Sequence, residues 1–218
     1  MNVLMTGGSG GIGREVLWSL LDSGHTVTTP ANGRDPESVF GDICSLSRLK
    51  VMMTFDAIFP HKCKNLVDYA WEQMGSIDVF INCMGSWSDQ RVLDEDHFTS
   101  EIFEDNVISV IHLTREILLR LESEKHSSHL VYLTGSTGGS LTHPMYSASK
   151  AALIDYIESV KFHCHQLRVS TGINILVSKV APPPTATKIW ESALHGKVDT
   201  SGMADPRDSA KLIVKVIS

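Results

Sequence analysis

The fold prediction for this sequence starts from the stretch VLMTGGSGGIGREVLWSLL, residues 3–21. A short apolar strand, residues 2–5, runs directly into the glycine-rich loop TGGSGGIG. A helix is predicted over residues 14–22 because its apolar residues fall on one face, and Gly24 ends it. Glycines at such a turn let backbone N–H groups approach a phosphate, and the helix N-terminus adds a favourable dipole. The loop favours a dinucleotide site over a plain tight turn, and it is not a Walker A loop because no Lys-Ser/Thr pair follows.

The rest of the chain continues this alternation of strand and helix. Predicted strands cover residues 2–5, 25–29, 49–55, 77–83, 129–134 and 174–180. Predicted helices cover residues 14–22, 35–46, 62–74, 98–122, 145–169 and 206–217. Apolar strands that alternate with amphipathic helices are typical of a parallel sheet covered on both faces. We therefore expect an α/β fold, a doubly wound parallel sheet of the Rossmann type, in one domain over residues 1–218.

Composition argues against several classes of protein. The 218 residues include 19 basic and 25 acidic ones, a net charge of −6, and no basic run stands out, so no nucleic-acid partner is expected. No apolar run is long enough to span a bilayer and the N-terminus lacks a signal-peptide pattern, so we expect no membrane partner and a cytoplasmic location. The four cysteines form no CxxC pair and are expected to be reduced thiols. The His/Cys groups at 61–63 and 163–165 lack zinc-ligand spacing, so no metal is expected.

The residues that follow the second predicted strand bear on the choice of cofactor. They read TTPANGR, residues 28–34, and no Asp or Glu stands at the strand end to bind the ribose hydroxyls of NAD. Hydroxyl groups and the guanidinium of Arg34 suit a 2′-phosphate better than a bare ribose. The sequence therefore favours NADP(H), with NAD(H) as second choice. The alternative is that Arg34 is only a solvated loop residue.

A serine, a tyrosine and a lysine lie close together at the entry to the helix predicted over residues 145–169. Tyr146 and Lys150 are four residues apart and so share one helix face. An adjacent ammonium favours the phenolate, so we expect Lys150 to lower the pKa of Tyr146. Ser136 could hold a substrate carbonyl oxygen while Tyr146 donates its proton, and a hydride delivered to the carbonyl carbon completes a reduction. Thr134 is the alternative to Ser136 as the catalytic hydroxyl.

Several motifs in order resemble the short-chain dehydrogenase/reductase family. TGGSGGIG resembles its TGxxxGxG loop, and Asn82-Cys83-Met84-Gly85 lies where the family has NNAG. Asn106 matches an asparagine of the family's first long helix, and Ser136, Tyr146 and Lys150 match its serine and YxxxK motif. The resemblance implies that Tyr146 is the acid/base and that Lys150 lowers its pKa and binds the nicotinamide ribose. It implies that Ser136 orients the carbonyl and that Asn106 holds a proton-relaying water.

The resemblance also implies a set of cofactor contacts. Asp56 is expected to contact the adenine, with Asp42 as the competing choice, and residues after the sixth strand are expected to touch the nicotinamide carboxamide. The expected cofactor-binding residues are Gly7, Ser9, Gly11, Ile12, Gly13, Arg34, Asp56, Asn82, Gly85, Tyr146, Lys150, Val180, Thr185 and Thr187.

The C-terminal part departs from the family pattern. Three prolines, residues 182–184, stand where the family often has Pro-Gly, and proline stiffens the loop. The chain ends after the last predicted helix, so we expect six strands and no seventh. Residues 182–204, here called the lid segment, correspond to the family's short substrate lid. We expect a homodimer or homotetramer through the helices over residues 98–122 and 145–169, whose apolar positions exceed one core face.

The substrate pocket is predicted to be mostly apolar. The expected substrate contacts are Trp87, His143, Met145 and Trp190. Two alternatives stay open: Trp190 only packs the lid segment against the core, and His143 is a solvated loop histidine.

The sequence thus predicts an NADP(H)-dependent ketoreductase or alcohol dehydrogenase that moves a hydride between the nicotinamide and a carbonyl or alcohol. One alternative is a dinucleotide-sensing regulatory protein of the same fold. Another is a non-redox dehydratase or epimerase that uses Tyr146 as a base.

Overall fold

Six strands in the described residues form one parallel sheet. The computed structural model describes residues 1–94, 99–135 and 143–218. The strands are β1 (Asn2–Thr6), β2 (Thr26–Pro30), β3 (Leu49–Met52), β4 (Val79–Asn82), β5 (Ser128–Leu133) and β6 (Ile175–Val180). Their order in the sheet is β3-β2-β1-β4-β5-β6, with every neighbouring pair parallel. This order confirms the predicted doubly wound fold.

Helices connect the strands and cover both faces of the sheet. They are α1 (Gly11–Asp22), α2 (Pro36–Phe40), α3 (Pro60–Met74), α4 (Thr99–Phe103), α5 (Ser109–Ser123), α6 (Pro144–Thr171) and α7 (Pro206–Ile217). Short 3-10 turns cover Gly41–Ser45 and Lys188–Ser192, and a π-helical turn covers Glu104–Ile108. In the described part of the chain, no helix combines the length and the apolar composition that a membrane crossing would need.

Alternate residues of a strand pack into two separate hydrophobic cores, one on each face of the sheet. In β1, Leu4 packs with α3, α5 and α6, whereas Val3 and Met5 pack with α1 and α7. In β5, Tyr132 faces the first core and Val131 the second. This period of two explains why β1 and β4 are nearly continuous apolar runs, since a strand buried on both faces has no polar side.

Two helix predictions differ from the structure. The helix expected over residues 35–46 ends at Phe40, because Gly41 adopts φ 62°, and the chain continues as a 3-10 turn. Its predicted N-cap is confirmed, since the Asp35 carboxylate accepts a hydrogen bond from the Ser38 N–H. The helix expected over residues 98–122 is interrupted by the π-helical turn Glu104–Ile108. Residue 98 lies outside the described residues, so its part in that prediction is not described.

The sheet reverses its winding between β1 and β4, and this switch point positions the site. The chain runs outward from β1 to β3 and then returns to place β4 on the other side of β1. At the carboxyl ends of these two strands, Thr6 Oγ1 donates a 2.7 Å hydrogen bond to Asn82 Oδ1. In open α/β sheets, ligands bind in the crevice outside the carboxyl ends of strands at such a switch point.

Candidate active site

A cleft of about 650 Å³ opens at the carboxyl ends of β1 and β4. Its walls come from the glycine-rich loop, the segment after β4, the first turns of α6 and the lid segment. The lining residues that matter below are Ser9, Gly11, Ile12, Gly13, Cys83, Gly85, Ser86, Tyr146, Lys150 and Thr187. The volume lies within the range of about 300–1,000 Å³ that is usual for small-molecule and cofactor sites.

The glycine-rich loop is packed so tightly that Gly7, Gly11 and Gly13 have no room for a side chain. Gly7 has φ 75°, and a Cβ there would lie 2.5 Å from the carbonyl carbon of Cys83. A Cβ on Gly13 would overlap the carbonyl oxygen of Gly7, and one on Gly11 would overlap the side chain of Thr187. Gly10 at the N-cap of α1 has no side chain that could bond to the first N–H groups. The loop thus presents bare backbone and a positive helix end to the cleft, which fits a pyrophosphate.

Arg34 lies over the glycine-rich loop. Its Nη2 donates a 2.9 Å hydrogen bond to Ser9 Oγ, and its Nε donates to the Ala31 carbonyl at 3.4 Å. The guanidinium is therefore tethered at the rim of the cleft next to the loop, although the residue is exposed. Near the end of β2, the buried hydroxyl of Thr29 lies beside Gly8. No acidic side chain stands between Thr29 and Arg34.

Tyr146 and Lys150 face the same cleft from the start of α6. Lys150 is only 5% exposed, and its Nζ lies 5.6 Å from the centroid of the Tyr146 ring. Burial lowers the pKa of the Lys150 ammonium to about 8, a shift that the Asp105 carboxylate partly opposes. An ammonium with this pKa exchanges its proton readily near neutral pH.

The expectation that Lys150 lowers the pKa of Tyr146 is wrong for this structure. Burial raises the pKa of the Tyr146 phenol above its ordinary value. The sign differs because the phenolate would lose its hydration in the cleft. This cost exceeds any stabilisation of the phenolate by the nearby Lys150 ammonium. Tyr146 is therefore protonated at neutral pH.

Asn106 holds the segment after β4 in place. Its Oδ1 accepts from the Ser86 N–H, and its Nδ2 donates to the Ser86 carbonyl and to Ser149 Oγ, each at 3.0 Å. A Cβ on Gly85 would lie 2.6 Å from Asn106 Oδ1 and 3.0 Å from Lys150 Nζ. The chain at Gly85 thus passes directly over both side chains. The two amide N–H groups of Asn106 are used within the protein, so the side chain acts as a brace for this segment.

The predicted catalytic hydroxyl, Ser136, lies outside the described residues. The hydroxyl oxygen of Tyr146 lies 2.7 Å from the position of a Cβ on Gly135, the residue directly before Ser136. Thr134, the alternative, is 1% exposed, and its hydroxyl donates to the Val180 carbonyl at 3.4 Å. Thr134 is buried and is not among the residues that line the cleft.

A second, smaller cavity of about 280 Å³ adjoins the cleft, and we call it the aromatic cavity. It is lined by Ile12, Trp87, Gly135, His143, Tyr146, Ser147, Pro182, Pro183, Pro184, Thr185, Thr187, Ile189 and Trp190. Three of the four predicted substrate contacts, Trp87, His143 and Trp190, therefore lie together beside Tyr146. Met145 is half-buried in the first turn of α6 and lines neither cavity.

Some predicted cofactor residues do not line the cleft. Val180 packs its side chain in the core beneath α1 and α7, and Asn82 is buried below the loop, bonded to Thr6. Asp56 lies exposed in the loop after β3, where its carboxylate accepts from the Ile58 N–H. Thr185 bonds to Ser209 Oγ at 2.7 Å and lines only the aromatic cavity. None of these four side chains lines the cleft.

Sequence reasoning missed the acid that fastens the lid segment. Burial raises the pKa of the Asp89 carboxyl, but the N–H groups of Leu194 and His195 outweigh that effect and hold it below its usual value. Those two N–H groups donate to the carboxylate at 2.7 and 3.0 Å. Ser192 Oγ adds a bond to the Trp87 carbonyl at 2.9 Å. These contacts join segments far apart in sequence, so no local pattern signals them.

Comparisons with known proteins agree with this geometry. A model of the short chain dehydrogenase family matches residues 1–197. NADPH-dependent aldehyde reductase 1, a chloroplastic protein of Arabidopsis thaliana, is 26% identical over 226 residues, which cover 98% of this chain and 75% of that relative.

Solved structures show the same fold. A short chain dehydrogenase/reductase from Burkholderia phymatum in complex with NAD has a TM-score of 0.82 at 18% identity, covering 99% of this chain and 85% of that one. A short chain dehydrogenase from Burkholderia cenocepacia in complex with NADP has a TM-score of 0.77 at 18% identity, covering 99% and 83%. The family match spans the glycine-rich loop and the Tyr146–Lys150 pair, and on that ground the chain belongs to the short-chain dehydrogenase family of oxidoreductases.

Proposed function

We propose that this protein is an NADP(H)-dependent oxidoreductase that moves a hydride between the nicotinamide and a carbonyl or alcohol substrate, with Tyr146 as acid/base. The observation that carries the proposal is the placement of Tyr146 and Lys150 in the same cleft as the bare glycine-rich loop. A proton donor and a phosphate cradle that share one cleft are what a dinucleotide-dependent carbonyl reduction requires.

The proton chemistry follows from the burial of both side chains. The bound nicotinamide supplies the hydride in reduction and accepts it in oxidation. In reduction, the Tyr146 hydroxyl donates its proton to the carbonyl oxygen as that oxygen gains negative charge. Because burial raises the pKa of Tyr146, the proton is present at neutral pH and is given up only to a stronger base. Lys150, with its pKa lowered to about 8, then returns a proton to the phenolate.

Asn106 supports this arrangement by bracing the segment at Gly85 and Ser86 against Lys150. We propose that Ser136 orients the substrate carbonyl, since the residue before it, Gly135, adjoins the Tyr146 hydroxyl. The glycine-rich loop and the N-terminus of α1 would hold the pyrophosphate. Thr187, which packs against Gly11, would lie over the nicotinamide half.

Preference for NADP(H) over NAD(H) is proposed from the side chains at the end of β2. Arg34 is tethered to Ser9 at the cleft rim, where a 2′-phosphate would meet the Arg34 guanidinium and the Ser9 hydroxyl. Guanidinium groups bind phosphates bidentately and are suited to this task. The solved relatives include one complex with NADP and one with NAD, so they do not decide the preference.

Calorimetric titration of the protein with NADPH and with NADH tests the cofactor proposal. We expect NADPH to bind more tightly, and Arg34→Ala to weaken NADPH binding by about 10- to 100-fold with little effect on NADH, since a charged hydrogen bond contributes about 1.5–3 kcal/mol. Arg48→Ala is the matched control, because Arg48 bonds to the Leu21 carbonyl away from the cleft. Equal losses for both cofactors in Arg34→Ala would contradict the 2′-phosphate assignment.

We also propose that the protein forms a homodimer or homotetramer through α5 and α6. In support, apolar side chains are exposed there, with Leu119 47%, Phe162 64% and Val169 75% exposed. Light scattering after gel filtration would measure the mass, and a monomer at micromolar concentration would contradict the proposal.

A further inference from the structure

We infer that the aromatic cavity holds an uncharged aryl group of the substrate, so that the preferred substrates are aryl ketones, aryl aldehydes or the matching aryl alcohols. This inference rests on the proposed oxidoreductase function and names the substrate class of that same site. It is carried by the geometry, charge and size of the aromatic cavity.

Three rings form one preorganised wall of the aromatic cavity. The Trp87 and Trp190 rings lie 4.7 Å apart at 65°, and the Trp87 and His143 rings lie 4.9 Å apart at 78°. Trp87 is 4% exposed, and the Nε1–H of Trp190 donates a 2.8 Å hydrogen bond to the Thr185 carbonyl. The indoles are therefore fixed before any substrate binds. Fixed rings with centroids about 5 Å apart can add a further ring in an edge-to-face or offset-stacked arrangement.

The remaining walls carry no charge. They consist of prolines 182–184, Ile12 and Ile189, with threonine and serine side chains at the edges. Among the described residues that line the cavity there is no Asp, Glu, Lys or Arg. The neighbouring sequence STGGSLT, residues 136–142, contains none either. A charged substrate group would lose its hydration here, and the described lining residues offer it no carboxylate, ammonium or guanidinium as a partner; a neutral ring does not carry this cost.

Position and size connect this cavity to the chemistry. Six residues line both the aromatic cavity and the cofactor cleft: Ile12, Gly135, Tyr146, Pro182, Thr187 and Ile189. A ring in the aromatic cavity therefore places an attached carbonyl beside the Tyr146 hydroxyl. The volume of about 280 Å³ lies just below the usual range for drug-sized ligands, about 300–1,000 Å³, which favours a substrate with one or two rings.

The test compares an aromatic ligand with its saturated counterpart in matched variants. The kcat/KM values for acetophenone and cyclohexyl methyl ketone are measured with NADPH, and their ratio is compared between variants so that intrinsic reactivity cancels. We expect Trp190→Leu and Trp87→Leu each to lower the aryl-to-cyclohexyl ratio by about two- to tenfold, the range of one aromatic pair. Trp190→Phe should keep most of the ratio because phenylalanine retains an aromatic ring, although it loses the hydrogen bond from Nε1–H to the Thr185 carbonyl. Trp18→Leu, on the outer face of α1, should leave the ratio unchanged.

A second measurement separates this inference from the oxidoreductase proposal. Dissociation constants of the unreactive pair benzamide and cyclohexanecarboxamide are measured by ligand-observed NMR on the same variants. A benzamide preference that falls in Trp190→Leu supports the inference even if neither ketone is turned over, in which case the proposed function fails alone. Turnover with a ratio that stays within twofold in both tryptophan-to-leucine variants overturns the inference and leaves the oxidoreductase standing. Absence of any benzamide preference in the unmodified protein overturns it as well.

Discussion

Replacing Lys150 by methionine should abolish turnover and, at the same time, stabilise the protein. Lys150 is 5% exposed, and burial lowers the pKa of its ammonium from 10.5 to about 8, partly offset by Asp105. The folded protein therefore binds this proton more weakly than the unfolded chain does. Folding is penalised below about pH 8, and the penalty fades as the pH rises towards 10.5. Methionine keeps much of the apolar stem and removes the penalty.

The magnitude follows from the two pKa values. The difference between 10.5 and about 8 corresponds to about 3 kcal/mol in the free energy of unfolding at pH 7, at about 1.4 kcal/mol per pH unit. For a chain of this size, about 2–4 °C per kcal/mol gives a rise in Tm of about 6–12 °C. At about pH 9.5 the gain should fall to less than half, because by then the folded protein has lost the proton and the unfolded chain is losing it.

Urea unfolding at these two pH values measures the effect. Lys211→Met is the control, since the Lys211 side chain is 76% exposed and its surface ion pair with Asp208 should contribute little to stability. An unfolding free energy at pH 7 that is unchanged or lower in Lys150→Met would refute the reasoning. A gain of equal size at both pH values would show that proton binding is not its cause.

Two further substitutions test how the site is positioned. Gly85→Ala should lower kcat by about tenfold or more and largely keep NADPH binding, because the added Cβ would lie 2.6 Å from Asn106 Oδ1 and 3.0 Å from Lys150 Nζ. Steady-state kinetics would check this against the control Gly202→Ala, whose added Cβ meets nothing within 4 Å, and equal kcat values in the two variants would contradict it. Asp89→Ala should loosen the lid segment and raise substrate KM by about 2- to 30-fold, the effect of losing about 0.5–2 kcal/mol of hydrogen bonding. Limited proteolysis should cut Asp89→Ala within residues 182–204 faster than it cuts Asp89→Asn, and equal cleavage rates in the two variants would contradict this.

The fold could be predicted from the sequence because its signals are local. The glycine-rich loop after β1, the alternation of apolar strands and amphipathic helices, and the helix Pro206–Ile217 all depend on neighbouring residues. Tyr146 and Lys150 could be paired for the same reason, since four residues on a helix fix their separation.

What the sequence did not predict depends on contacts between distant segments. The π-helical turn at Glu104–Ile108 accompanies the hydrogen bonds of Asn106 to Ser86 and Ser149, which belong to other elements. The raised pKa of Tyr146 comes from burial by the surrounding walls, whereas helical spacing alone indicated the opposite sign. The hydrogen bonds of Asp89 and the aromatic cavity likewise form only when the segment after β4 meets the lid segment.

Transfer of deuterium from NADPH that carries deuterium at both C4 positions of the nicotinamide, measured in the unmodified protein and in Tyr146→Phe, tests the central proposal most directly. With a panel of small ketones and aldehydes, we expect deuterium on the carbinol carbon of the product, in amounts equal to the NADPH consumed. Tyr146→Phe should bind NADPH as the unmodified protein does, while turnover falls by about 100-fold or more because the proton donor is lost. Turnover within about tenfold of the unmodified protein, or NADPH consumption without deuterium in the product, would contradict a hydride transfer that depends on Tyr146.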